Sequence, residues 1–208
     1  MKAQEKIQIR RFVGLCIFAA LLVLSCSAFA TVMVRLDLND LVRSSTWIVE
    51  GVVEEVNKSA PTQQGGVETR VRVKVVSRWK GPESIESLTL RLPGGEKEGT
   101  VIRVAGMPMF QRGEEVLLFL EPVDGGWIPT GLGQGVFRLG RVENEKTLSQ
   151  VAGEGMYLEK GNRGVWKQTL SPSPTLNVPF SQFRAEVEEI MSGSDSRPAV
   201  GNSPTILP

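Results

Sequence analysis

Between Val67 and Leu92 the chain alternates apolar and polar residues. Val67, Thr69, Val71, Val73 and Val75 fall on one side, and Glu68, Arg70, Arg72 and Lys74 on the other. Successive side chains of a strand point to opposite faces of a sheet, so a period of two predicts a half-buried β-strand. Lys80-Gly81-Pro82 ends that strand, and Leu88, Leu90 and Leu92 resume the alternation beyond it. The two runs predict an antiparallel pair at the centre of the fold.

Trp47 to Val56 reads as the strand before this pair. Trp47, Val49, Gly51 and Val53 lie on one face and Ile48, Val52 and Val56 on the other. Apolar residues on both faces predict a strand buried twice over, and Gly51 in its middle predicts a bulge or bend. Asp37 followed by Leu38, Leu41 and Val42 predicts a short capped helix over 37–45. Downstream, Thr100 to Val104 reads as a short strand, and Met107, Met109 and Phe110 are expected in the core. Glu115 to Leu120, between Gly113 and Pro122, reads as a central strand, and Asp124-Gly125-Gly126 as a hairpin turn. Val136 to Leu139 is a further strand, and hairpins are expected around Glu143-Asn144 and around Gly161-Asn162. From Ser171 a proline-punctuated linker leads to an amphipathic helix whose apolar face is Phe180, Phe183, Val187, Ile190 and Met191. The residues after Ser192 lack periodicity and are expected to be disordered.

The N-terminus carries an address. Lys2, Lys6, Arg10 and Arg11 precede an apolar run from Phe12 to Leu24, and Ala28-Phe29-Ala30 supplies small residues for cleavage. Basic region, short apolar region and A-x-A site predict a secretory signal over 1–30, cut between Ala30 and Thr31. The expected product is an exported protein, periplasmic or secreted, touching the membrane only through that segment before cleavage. A lipoprotein anchored at Cys26 is the alternative. The expected organisation is a signal peptide over 1–30, a β-domain over 31–170, and a linker, helix and tail over 171–208.

Composition then narrows the chemistry. The 208 residues suffice for one core-forming domain, and 22 glycines and 12 prolines suit a fold rich in turns. Removing the four basic and one acidic residue of the first thirty from the totals of 24 and 23 leaves 20 and 22, a net of −2. Overall charge therefore offers nothing to nucleic acid. There is no histidine, and Cys16 and Cys26 both lie in the signal segment. The exported chain lacks the groups for a Ser-His-Asp triad, a Cys-His pair, a thiolate zinc site or a disulfide.

Four features invite a functional reading. Ser77-Arg78-Trp79-Lys80 matches S-x-x-K, but strand alternation places residues three apart on opposite faces, so a Ser-Lys hydrolase is disfavoured. Gly131-Leu132-Gly133-Gln134-Gly135 precedes a strand instead of opening a helix, which suits a tight bend better than a phosphate loop. Asp37, Asn39 and Asp40 lack the spacing of a calcium loop, and helix capping accounts for them. Arg70, Arg72 and Lys74 share one strand face. That stripe reads either as a contact for an anion, glycan or acidic partner, or as a solvated face paired with Glu50, Glu54 or Glu55. No aromatic residue interleaves it, which favours the solvated face and disfavours single-stranded nucleic acid.

The order of WIVEGVVEEV, TRVRVKVVSRWKG, LTLRLPGG, the MPMF segment, GEEVLLFLEP and GLGQGVFRL, from Leu38 to Leu139, resembles a group of exported bacterial proteins of uncharacterised function. A more distant similarity is to netrin-like domains and tissue inhibitors of metalloproteinases. It implies an all-β, mainly antiparallel, OB-like Greek-key β-barrel, here with extra hairpins, one short N-terminal helix and one C-terminal amphipathic helix. Those inhibitors chelate zinc through an N-terminal cysteine, whereas the expected mature terminus is Thr31. The resulting expectation is a non-enzymatic exported binding module without cofactor or metal, whose partner is another secreted or envelope protein. The anion or glycan binder is the alternative.

Overall fold

The computed structural model describes residues 32–63, 65–81, 85–151, 156–160, 166–170 and 177–193. The expected signal segment with Cys26, the Ala30-Thr31 junction, the Gly161-Asn162 turn, the first six residues of the linker (171–176) and the tail after 193 lie outside them. Three long antiparallel neighbours carry the fold: β2 (Trp47–Pro61), β3 (Val67–Lys80) and β4 (Ser87–Pro93). Before them stand β1 (Val32–Val34) and helix α1 (Leu38–Ser44). After them come the hairpin β5 (Gly95–Lys97) and β6 (Thr100–Ile102), then β7 (Glu115–Val123) and β8 (Gly126–Pro129). A 3-10 turn over Leu132–Gly135 leads into β9 (Val136–Val142) and β10 (Glu145–Gln150). The chain ends with β11 (Met156–Lys160), β12 (Trp166–Leu170), β13 (Val178–Pro179) and helix α2 (Phe180–Met191).

The main sheet has the order β13-β10-β9-β7-β2-β3-β4-β8, and β8 also pairs with β7. Strands β2, β3, β4, β8 and β7 therefore make a partly closed ring, joined between β4 and β8 by one parallel register pair, Leu90 with Trp127. Inside it are Trp47, Val49, Val53, Val71, Val73, Leu88, Leu90, Leu118 and Leu120. Trp47 stacks on Trp127 with ring centroids 4.5 Å apart. A second core lies outside the ring, where Ile48, Leu117, Phe119, Phe137 and Leu148 meet Leu41 and Val42 of α1 and Phe183, Val187 and Ile190 of α2. The C-terminal helix thus docks on the sheet through the face its periodicity predicts.

β2 has both layers against it, which explains its apolar residues on two faces. Gly51 sits where the register with β3 shifts, and a Cβ there would come within 2.6 Å of the Lys74 carbonyl oxygen. Asp37 and Asp40 form a capping box at α1: the Asp40 amide donates to Asp37 at 2.8 Å and the Asp37 amide to Asp40 at 3.3 Å. The hairpin turn Glu143-Asn144 has both residues at positive φ, 49° and 69°, as a two-residue turn that follows the strand twist requires.

Several expectations need correction. Met109 is 68% exposed, while Phe110 is buried and Met107 partly so. Pro122 does not end its strand, because β7 continues to Val123 in the hairpin with β8. Val56 packs with the inner core instead of sharing a face with Ile48 and Val52. The register slips between Val53 and Glu55, leaving Glu54 as the extra residue of a bulge that reverses the alternation over Glu55 to Asn57, before a further shift between Asn57 and Ala60.

Candidate functional site

The bulge at Glu54 helps to build a cleft on the outer face of the sheet. Past it, Glu55 lies opposite Arg72 and Asn57 opposite Arg70, so both residues of β2 join the polar outer face of β3. On the other side of β3, Arg91 of β4 lies opposite Arg70 and Thr89 opposite Arg72. These six residues and Gly125 line a solvent-open cleft of about 400 Å³. The β7–β8 turn forms its rim. It sits close over β4: a Cβ on Gly126 would come within 2.7 Å of the Thr89 carbonyl oxygen.

Two like charges opposite each other destabilise a sheet, and Arg70 faces Arg91. Glu68 resolves the conflict. Its carboxylate accepts from Arg70 Nε at 2.7 Å and from Arg91 Nη2 at 2.8 Å, and Arg91 Nε lies 3.1 Å and 3.0 Å from its two oxygens. Burial alone raises the Glu68 carboxyl, but hydrogen bonds and charge from Arg91 and Arg70 outweigh it and hold the group below its ordinary value. The same bonds raise the Arg91 guanidinium. Arg91 Nη1 also donates to the Asp124 carbonyl oxygen, fixing the turn to the arginine, and Arg70 Nη2 reaches the Pro61 carbonyl oxygen at 3.4 Å.

The structure brings Arg70 and Arg72 of the expected stripe into the cleft and leaves Lys74 outside its lining. The expected pairing is different too. Glu50 is bound by Lys146, and neither Glu54 nor Glu55 forms an ion pair with the stripe among the described residues. Arg72 and Lys74 have no hydrogen-bonded carboxylate there. Glu68 and Arg91 were missed, although Glu68 stands two residues before Arg70 on the same face and Arg91 is the polar position between Leu90 and Leu92.

The other sequence features take structural roles. Ser77 lies opposite Glu50 and Lys80 opposite Ile48, with Trp79 as the extra residue of another bulge. Register thus aligns Ser77 and Lys80 with the same face of β2, contrary to unbroken alternation. No hydrogen bond joins them among the described residues. Lys80 Nζ donates instead to the Val42 carbonyl oxygen at 2.6 Å, and burial lowers its pKa. Gln134, in the glycine-rich bend, accepts from the Leu36 amide at 2.9 Å and donates to the Val34 carbonyl oxygen at 3.0 Å, tying down the N-terminal segment. Asn39 accepts from Arg43 within α1. Among the described residues no three acidic, histidine or cysteine side chains are grouped to hold a metal, and no helix is long and apolar enough to cross a membrane.

No family model, no curated protein and no solved structure matches the chain. The resemblance to exported bacterial proteins and netrin-like domains therefore supplies no residue role, and the site stands on its own geometry.

Proposed function

We propose that this protein is an exported, non-enzymatic binding module that takes an anionic group of an envelope or extracellular partner on the outer face of β3. The observation that carries the reading is the convergence of Arg70, Arg72 and Arg91 on one cleft, with two of them held by the buried Glu68 and Arg72 left without a carboxylate partner among the described residues. A guanidinium presents its donors in a planar fork that matches carboxylates and sulfates, and arginines fixed in advance lose less entropy on binding. The ring order β2-β3-β4-β8-β7, with its single parallel contact, supports reading the β-domain as an OB-like Greek-key barrel. In such barrels ligands sit on the face of the second and third strands, flanked by loops, and on that reading β3 and β4 with the β7–β8 turn are the matching elements. Export rests on the signal pattern over 1–30.

Retention on a heparin column tests the reading, because a mature chain of net charge −2 is held there only by a local basic surface. Arg72→Glu is expected to elute at clearly lower salt than wild type, and Arg112→Glu, the same charge change outside the cleft lining, close to wild type. Equal shifts for the two variants would remove the cleft from consideration.

A further inference from the structure

Resting on the anion-binding reading, we infer that the ligand is a carboxylate-bearing sugar, an acidic glycan of the uronate type. The cleft is not purely cationic. The Glu54 bulge puts the Glu55 carboxylate opposite Arg72 in the same lining, without an ion pair between them, and Asn57 and Thr89 complete that wall. An inorganic sulfate or phosphate seated against Arg72 would meet the negative charge of Glu55 and leave its acceptor oxygens unused. A ligand carrying both a carboxylate and hydroxyl groups uses the whole lining. Its carboxylate takes the forked donors of Arg72, its hydroxyls donate to Glu55, and its ring and hydroxyl oxygens accept from Asn57 and Thr89.

Two other classes of macromolecule fit less well. Single-stranded nucleic acid is held by aromatic plates as well as cations, and no aromatic residue lines this cleft. Peptide recognition by strand addition needs a free sheet edge and by helix docking an apolar groove, and an acidic segment read by the arginines alone would set its carboxylates against Glu55. Here the lining is polar apart from Gly125, and β3 is already paired on both sides. The volume of about 400 Å³ falls within the range of small-ligand sites.

Isothermal titration of the purified protein with trigalacturonate, sodium sulfate, maltotriose and a short oligoglutamate peptide tests this. Trigalacturonate is expected to bind saturably and at least about tenfold more tightly than each of the others, that factor being the worth of one or two charge-assisted hydrogen bonds. Arg72→Ala is expected to weaken it at least about tenfold. Glu55→Gln is expected to weaken trigalacturonate severalfold while strengthening sulfate. Both side chains are exposed, so neither substitution threatens the fold. Sulfate or oligoglutamate binding as well as trigalacturonate, with dependence on Arg72, would overturn the sugar assignment and leave the anion reading standing. Binding of none of the anions, or binding indifferent to Arg72, would overturn both.

Discussion

Arg91 grips the buried carboxylate of Glu68 in a fork, Nε lying 3.1 Å from Oε1 and Nη2 2.8 Å from Oε2. This pair turns a repulsive neighbour contact between Arg70 and Arg91 into a rigid base for the cleft. It also makes Glu68 a residue of stability.

Replacing Glu68 with glutamine keeps its shape and removes its charge, leaving two guanidinium groups facing each other over a neutral amide. The expected loss is about 1–2 kcal/mol, moderated because both arginines reach solvent. A urea titration of wild type and Glu68→Gln measures it, and an unchanged midpoint would show that solvent screens the cluster completely.

The same carboxylate predicts a pH dependence. Its folded pKa lies below the ordinary 4.5. Its contribution is therefore complete above that value and disappears as pH falls through the lower folded pKa. Asp40 acts in the opposite sense: burial first, and Asp37 second, raise it above 3.8, so acid relieves a cost there. Comparison with Glu68→Gln isolates the first effect, since Asp40 is common to both proteins. The difference in urea midpoint is expected to hold steady between about pH 8 and about pH 6 and to shrink toward zero below the ordinary glutamate value. A difference that persists in acid would contradict the assignment.

The elements of this fold were legible where they depend on local pattern, and the site was not, because it depends on register. Val71 and Val73 could be placed inside from alternation alone, and Phe183, Val187 and Ile190 from helical spacing. Asp37 and the Glu143-Asn144 turn announced themselves through capping and turn chemistry. The meeting of Arg70, Arg91 and Glu68 required knowing which residue of β4 faces which residue of β3. The entry of Glu55 and Asn57 into the cleft required a bulge at Glu54, where an exposed glutamate gives no sign that the alternation reverses. Another bulge at Trp79 undid the expected separation of Ser77 and Lys80. Bulges are local slips of one residue, and a period-two pattern read from apolar positions cannot see them when the slipped residue is polar or half-buried.

At Gly51 the neighbouring strand β3 leaves no room for a side chain. A Cβ there would lie 2.6 Å from both the Lys74 carbonyl oxygen and Val73 Cγ1. Because one obstacle is backbone, relief requires the strands to part. Gly51→Ala is expected to destabilise by about 1–3 kcal/mol, as overpacked cores do. Thermal melting checks this, and an unchanged or higher melting temperature would refute the close approach.

The docking of α2 makes a separate prediction. Phe183 meets Phe137 at 4.9 Å and Phe119 at 6.4 Å between ring centroids. Phe183→Ala is expected to cost about 3–5 kcal/mol by leaving a cavity between helix and sheet. Denaturation monitored by circular dichroism measures the loss. A change below about 1 kcal/mol would mean that the helix contributes little to the second core.

The central claim is that the outer face of β3 is a ligand site, and the most direct measurement is to titrate isotope-labelled protein with trigalacturonate and map the amide shifts by NMR. Saturable shifts concentrated at Asn57, Arg70, Arg72, Thr89, Arg91 and Gly125, and lost in Arg72→Ala, are the predicted result. Saturable shifts centred on another surface, or no shifts at all in a protein that remains folded, would contradict it.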